Sequence, residues 1–181
     1  TVRLGAGQTV TVESGGTVAP GALGKAGFDR LAFNGSTHGT ASILTMEAGA
    51  EFTFELGAGG LSDQIFFTGY SGATDFVLNN NVVNLTGTIT EGVYHLFVFK
   101  SNETATTNLD SLTSIASGLT GGLQAGSGFD GFVGTFHYDD VLFGGPGVIA
   151  LELSAVPEPA AFAPALLLGG AWLIARRRKQ G

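Results

Sequence analysis

The chain has no cysteine, which excludes disulfide staples and thiolate metal centres and leaves packing as the source of rigidity. Charge is scarce as well. Only 13% of the 181 residues are charged while 44% are hydrophobic, a balance that excludes a disordered acidic tract. Positive charge is scarcest and unevenly placed. Four of the eight bases are the consecutive Arg176, Arg177, Arg178 and Lys179, so residues 1–159 set 15 acids against Arg3, Lys25, Arg30 and Lys100, a net −11. A phosphate backbone needs a basic surface and would be repelled by this one, which argues against nucleic acid as a partner. The first residue is Thr1 rather than Met, so an upstream segment is expected to have been removed or cropped, and a signal peptide is looked for there rather than here.

What is abundant is glycine, at 30 residues, and phenylalanine, at 14. Apolar residues alternate with polar ones in short runs: Thr9–Val12, Gly15–Gly21, Ile43–Met46, then a turn at 47–50 and Phe52, Phe54 and Leu56 on one side with Glu51, Thr53 and Glu55 on the other. The pattern continues at 63–69, 75–78, 82–85, 93–99, 132–138, 141–143 and 148–153. Strands at spacings of about ten residues, with turn glycines between them, predict an all-β body, either the end of a β-solenoid or a β-sandwich or jelly roll. Leu109, Leu112, Ile115 and Leu119, preceded by Thr107 and Asn108, predict one short helix ending near Gly118.

The tail reads differently. Residues 160–175 form sixteen uncharged positions that include Leu166, Leu167, Leu168, Trp172, Leu173 and Ile174, followed at once by Arg176, Arg177, Arg178 and Lys179. As a helix this run is about 24 Å long, enough to cross a core of about 30 Å when the arginines snorkel and Trp172 lies at an interface. The cations then stay on the cytoplasmic side, which places residues 1–159 on the other face of the inner membrane. Between body and run stands Val156-Pro157-Glu158-Pro159, whose two prolines forbid helix and favour an extended strip. Four parts follow: a passenger over 1–155, a hinge over 156–159, a transmembrane helix over 160–175 and a basic tail over 176–181.

A Val-Pro-Glu-Pro tetrapeptide, a short apolar run and an Arg-rich end, in that order, resemble the PEP-CTERM sorting signal of Gram-negative bacteria; the same tail is also catalogued as an ice-binding-protein C-terminal region. The resemblance covers about the last 26 residues. It implies that Val156, Pro157, Glu158 and Pro159 are a substrate's recognition residues for an exosortase, a membrane-embedded cysteine transpeptidase that delivers its passenger to the envelope or extracellular matrix. Segments 15–21, 44–56 and 62–69 resemble the closing rungs of autotransporter-type β-strand-repeat passengers. That resemblance implies a right-handed parallel β-solenoid, although the sequence shows no strict internal period.

The residues offer little for catalysis. His38, His95 and His137 sit in unrelated contexts, and His137-Tyr138-Asp139-Asp140 alone joins histidine to carboxylates, a pattern equally suited to a polar turn. Residues 125–133 match all but the first fixed position of a calcium-binding nonapeptide, but such repeats act in tandem and here there is one copy, so a Gly-rich loop is expected. Glu51 and Glu55 share a strand face about 13 Å apart, beyond the reach of a glycosidase pair. Thr9 and Thr11, and Thr86, Thr88 and Thr90, would suit ice or glycan only if they stack in rows. The expectation is therefore a non-enzymatic, cofactor-free structural or adhesive surface protein, with exopolysaccharide as a further partner and a glycan- or ice-binding module as the alternative.

Overall fold

The computed structural model describes residues 2–3, 8–21, 28–34, 43–68, 76–100, 122–144 and 147–157, and the described chain is all-β. In chain order the strands are β1 (Val2–Arg3), β2 (Val10–Val12), β3 (Thr17–Val18), β4 (Arg30–Asn34), β5 (Leu44–Met46), β6 (Glu51–Gly57) and β7 (Leu61–Ser62). They continue with β8 (Gln64–Thr68), β9 (Phe76–Val77), β10 (Asn81–Gly87), β11 (Gly92–Lys100), β12 (Leu123–Ala125), β13 (Phe132–Tyr138) and β14 (Val148–Ala155). The predicted helix lies outside the described residues. Residues 141–143, expected as a strand, are instead a single 3-10 turn, because the Asp140 carboxylate accepts the Leu142 N–H at 2.9 Å and Gly144 leaves the turn at a φ of 124°.

Each pass of the chain contributes one strand to each of three sheets. The first circuit is β2, β3 and β4, the second β5, β6 and β8, the third β9, β10 and β11, and every pairing between circuits is parallel. One circuit takes 34 residues from Val10 to Leu44 and 32 from Leu44 to its partner Phe76. A recurrence is therefore present where the sequence showed no strict period. It is hidden because the paired residues change identity and the circuits differ in length.

The alternation decides which residues turn inward. Along β6, Phe52, Phe54 and Leu56 are buried while Glu51, Thr53 and Glu55 face outward, as the sequence predicts. Equivalent inward positions stack from circuit to circuit: Phe33, Phe67 and Phe99 are register partners, with ring centroids 5.5 and 4.6 Å apart and interplanar angles of 17° and 5°. Phe97 meets Phe52 edge-on at 5.0 Å, and Phe76 lies 5.4 Å away at a tilt. The abundance of phenylalanine thus has a use: the stacked and edge-to-face rings of Phe33, Phe52, Phe54, Phe67, Phe76, Phe97 and Phe99 fill the space that the three sheets of short strands enclose.

After the third circuit the direction changes. β12 still pairs parallel to β10, but β14 runs antiparallel to β11 and β13 antiparallel to β14. The largest sheet therefore has the order β1-β4-β8-β11-β14-β13 and places the last described strand inside the sheet rather than at its edge. β14 reads as an almost unbroken apolar run, Val148 to Leu151 and Leu153, because both of its faces are covered as far as Leu151 and only the outer one opens at Glu152.

Candidate functional site: where the chain leaves the body

The C-terminal end of β14 is the point from which the expected sorting strip emerges. Consecutive N–H groups in a strand point to opposite edges, and the last two are both held. The Ala155 N–H donates to the Glu91 carboxylate at 2.8 Å, and the Val156 N–H to the Gly131 carbonyl at 2.9 Å. Glu91 stands immediately before β11, so its side chain supplies the acceptor that the neighbouring strand no longer provides. Beyond these contacts the chain is open to solvent: Val156 is 49% exposed and Pro157 is also exposed. Glu158 and Pro159, the membrane anchor of Leu166, Leu167, Leu168, Trp172, Leu173 and Ile174, and the basic Arg176, Arg177, Arg178 and Lys179 lie outside the described residues. Among the described residues no helix is long and apolar enough to cross a membrane.

His137 and Asp140 do come together, with a third group that sequence spacing did not indicate. The His137 Nε2 lies 3.0 Å from the Glu152 carboxylate and its Nδ1 3.6 Å from that of Asp140, while the ring stacks on Phe143 at 3.7 Å and 10°. Glu152 is reached because β13 and β14 pair antiparallel, with Thr135 opposite Glu152 and His137 opposite Ala150 on one face. Asp139 turns away and accepts the Gly147 N–H at 2.8 Å. The group fastens the 3-10 turn onto the sheet, and among the described residues no set of three His, Asp or Glu side chains converges to hold a metal. On the same strand Tyr138 has its hydroxyl pushed to a higher pKa by burial, offset by the Leu123 N–H that donates to its oxygen at 3.0 Å.

The remaining candidate positions have structural partners. Glu51 accepts from Asn84 Nδ2 at 2.7 Å, and Asn84 Oδ1 accepts from the N–H and hydroxyl of Ser127, which ties the Gly-rich loop across β10 to β6. In that loop Gly128 has a φ of 83°, and a Cβ there would lie 2.3 Å from the Leu85 carbonyl oxygen, so close backbone approach accounts for the glycine that the nonapeptide pattern had picked out. The threonines do not form rows. Thr11 pairs with Thr45, but the next position is Val77; Thr86 lies opposite Glu55, and Thr90 is bonded to the Tyr94 hydroxyl at 2.9 Å.

Sequence reasoning missed the buried polar groups that join circuits. Asp63, 4% exposed, accepts the Asp29 N–H at 2.8 Å and the Glu55 N–H at 3.0 Å. Asn81, 1% exposed, bridges the second and third circuits. The Asn79-Asn80-Asn81 triplet, which leads into β10, was the available signal. Two of the body's four bases, Arg30 and Lys100, flank the Phe66 ring at 4.5 and 5.4 Å, so they cover an outward aromatic residue rather than form a basic groove. No family model, no curated protein and no solved structure matches this chain.

Proposed function

We propose that this chain is the C-terminal part of an exported cell-envelope or extracellular-matrix protein, structural or adhesive in role, whose tail is a PEP-CTERM sorting signal read by an exosortase-type transpeptidase. On this reading the circuits are the closing coils of a β-solenoid of the kind found in autotransporter-like passengers. Residues 160–175 anchor the precursor in the inner membrane, and Arg176–Lys179 hold its end on the cytoplasmic side. The passenger carries no catalytic role. Exopolysaccharide would be a further partner of the passenger in the matrix.

One observation carries the reading. β14 is held on both edges by β11 and β13, and its last residues give way to an exposed Val156-Pro157 at the start of the Val-Pro-Glu-Pro strip. A folded passenger that presents an extended, exposed strip between itself and an apolar anchor is what an enzyme gripping extended backbone needs. Among the described residues, threonine rows, the feature that would favour ice or glycan recognition, extend over a single pair, Thr11 and Thr45.

The test is processing. Replacing Pro157 and Glu158 with alanine, in the chain expressed behind an export signal in a host that has the sorting enzyme, should leave a full-length membrane precursor. Normal mature product from the double variant would refute recognition at this strip.

A further inference from the structure

The way β14 ends has a chemical asymmetry along its two edges. The Ala155 N–H points to the β11 side, where Glu91 accepts it, and the Val156 N–H points to the β13 side, where Gly131 accepts it. By alternation the next donor on the β11 side belongs to residue 157, which is proline and has none. The sequence repeats the omission two residues later at Pro159, of the same parity. The ladder therefore has a last rung on each edge and cannot be extended along the β11 side.

We propose that Glu91 is a positioning residue that sets the upstream limit of processing. Its carboxylate closes the β11 edge at Ala155, Gly131 closes the β13 edge at Val156, and Pro157 prevents the strip from being drawn into the sheet. An enzyme that binds its substrate as an added strand needs free backbone donors and acceptors. Both N–H groups at the end of β14, those of Ala155 and Val156, are already held, so such an enzyme finds its first free backbone donor only downstream of Val156. The partner in this statement rests on the sorting reading above; the clamp itself does not.

The two are separated by an assay without the sorting enzyme. The full chain in detergent is treated briefly with a broad-specificity serine protease, body fragments are weighed, and amide exchange is followed at Ala155 and, as an internal standard for global opening, at Leu151. The wild type should yield no body fragment ending upstream of Pro157. Glu91→Ala should produce ends between Leu153 and Val156 and exchange Ala155 about tenfold faster with Leu151 unchanged. Glu91→Gln, which keeps an acceptor oxygen, should restore the wild-type pattern. Wild-type fragments ending inside β14, identical behaviour of wild type and Glu91→Ala, a parallel rise at Leu151, or failure of Glu91→Gln to rescue would each overturn the assignment. If the clamp passes and a host with the enzyme leaves the wild type unprocessed, it is the sorting reading that fails.

Discussion

The Asn81 side-chain amide donates to the Ala50 carbonyl at 2.9 Å, from a position that is 1% exposed and one circuit away in the coil. Its nitrogen also donates to the Glu47 carbonyl at 2.8 Å, and its oxygen accepts the Asn79 N–H at 2.8 Å. The arrangement follows from a length mismatch. Thr45 and Glu51 are six residues apart, whereas their partners Val77 and Val82 are five apart, so the third circuit takes the corner with one residue fewer. The amide side chain satisfies the carbonyl of buried Ala50 and adds a second donor to the Glu47 carbonyl, which also accepts the Ala50 N–H at 3.0 Å.

Asn81→Ala should therefore destabilise the body by about 1–3 kcal/mol, the cost of stranding the Ala50 carbonyl and removing the acceptor of the Asn79 N–H. Asn81→Asp should cost more, because a carboxylate has no donor and brings charge to two carbonyl oxygens. Urea midpoints of the three proteins measure the order.

Phe67 lies between Phe33 and Phe99 in the axial stack. Truncation to alanine removes contacts to both neighbouring circuits and should cost about 3–5 kcal/mol, and Phe67→Leu about 1–2 kcal/mol. A Phe67→Leu cost close to zero, by thermal or denaturant unfolding, would show that the ring stack contributes nothing beyond apolar volume, and equal costs of the two substitutions would show that apolar volume alone restores nothing.

Tyr138 gives the fold a signature in alkali. Burial raises its hydroxyl above the ordinary 10.0, partly offset by the Leu123 N–H. A folded pKa above the unfolded one means that the contribution is complete below pH 10 and declines as pH rises through 10 toward the folded pKa. Tyr138→Phe should be less stable at neutral pH by about 1 kcal/mol, for loss of the acceptor to Leu123. Its stability should then fall less steeply than the wild type's between pH 9 and 11 in pH-dependent urea melts.

Strand positions were legible where one face is dry and one wet. Phe132–Tyr138 and the alternation of β6 appear as read, because period-two patterning registers burial directly. β4 offers only Leu31 and Phe33 as inward apolar positions against Arg30, Ala32 and Asn34, too short an alternation to read from the sequence, and β12 is three residues long. The stacking itself was hidden. Leu31, Ile65 and Phe97 share one column with no common residue type, and the bulge between His95 and Phe97 shifts the count further. Equally, nothing in the spacing of His137 and Asp140 could reveal Glu152, which the β13–β14 pairing brings in from fifteen residues away.

The site was legible in proportion to its covalent character. Pro157 and Pro159 act through what a proline cannot donate, a property written in the sequence. Glu91 acts through a contact across 64 residues that only the packed sheet creates.

The account depends most on an apolar run that enters lipid while the cations behind it do not follow. The direct measurement is protease protection in spheroplasts of cells making the chain behind an export signal, with an epitope after Gly181 and the sorting enzyme absent. The account predicts a membrane-bound chain whose body is digested from outside while the epitope is protected, and loss of that orientation when Arg176, Arg177, Arg178 and Lys179 are made neutral. A full-length chain recovered in the soluble fraction, with its epitope as accessible as its body, would contradict it.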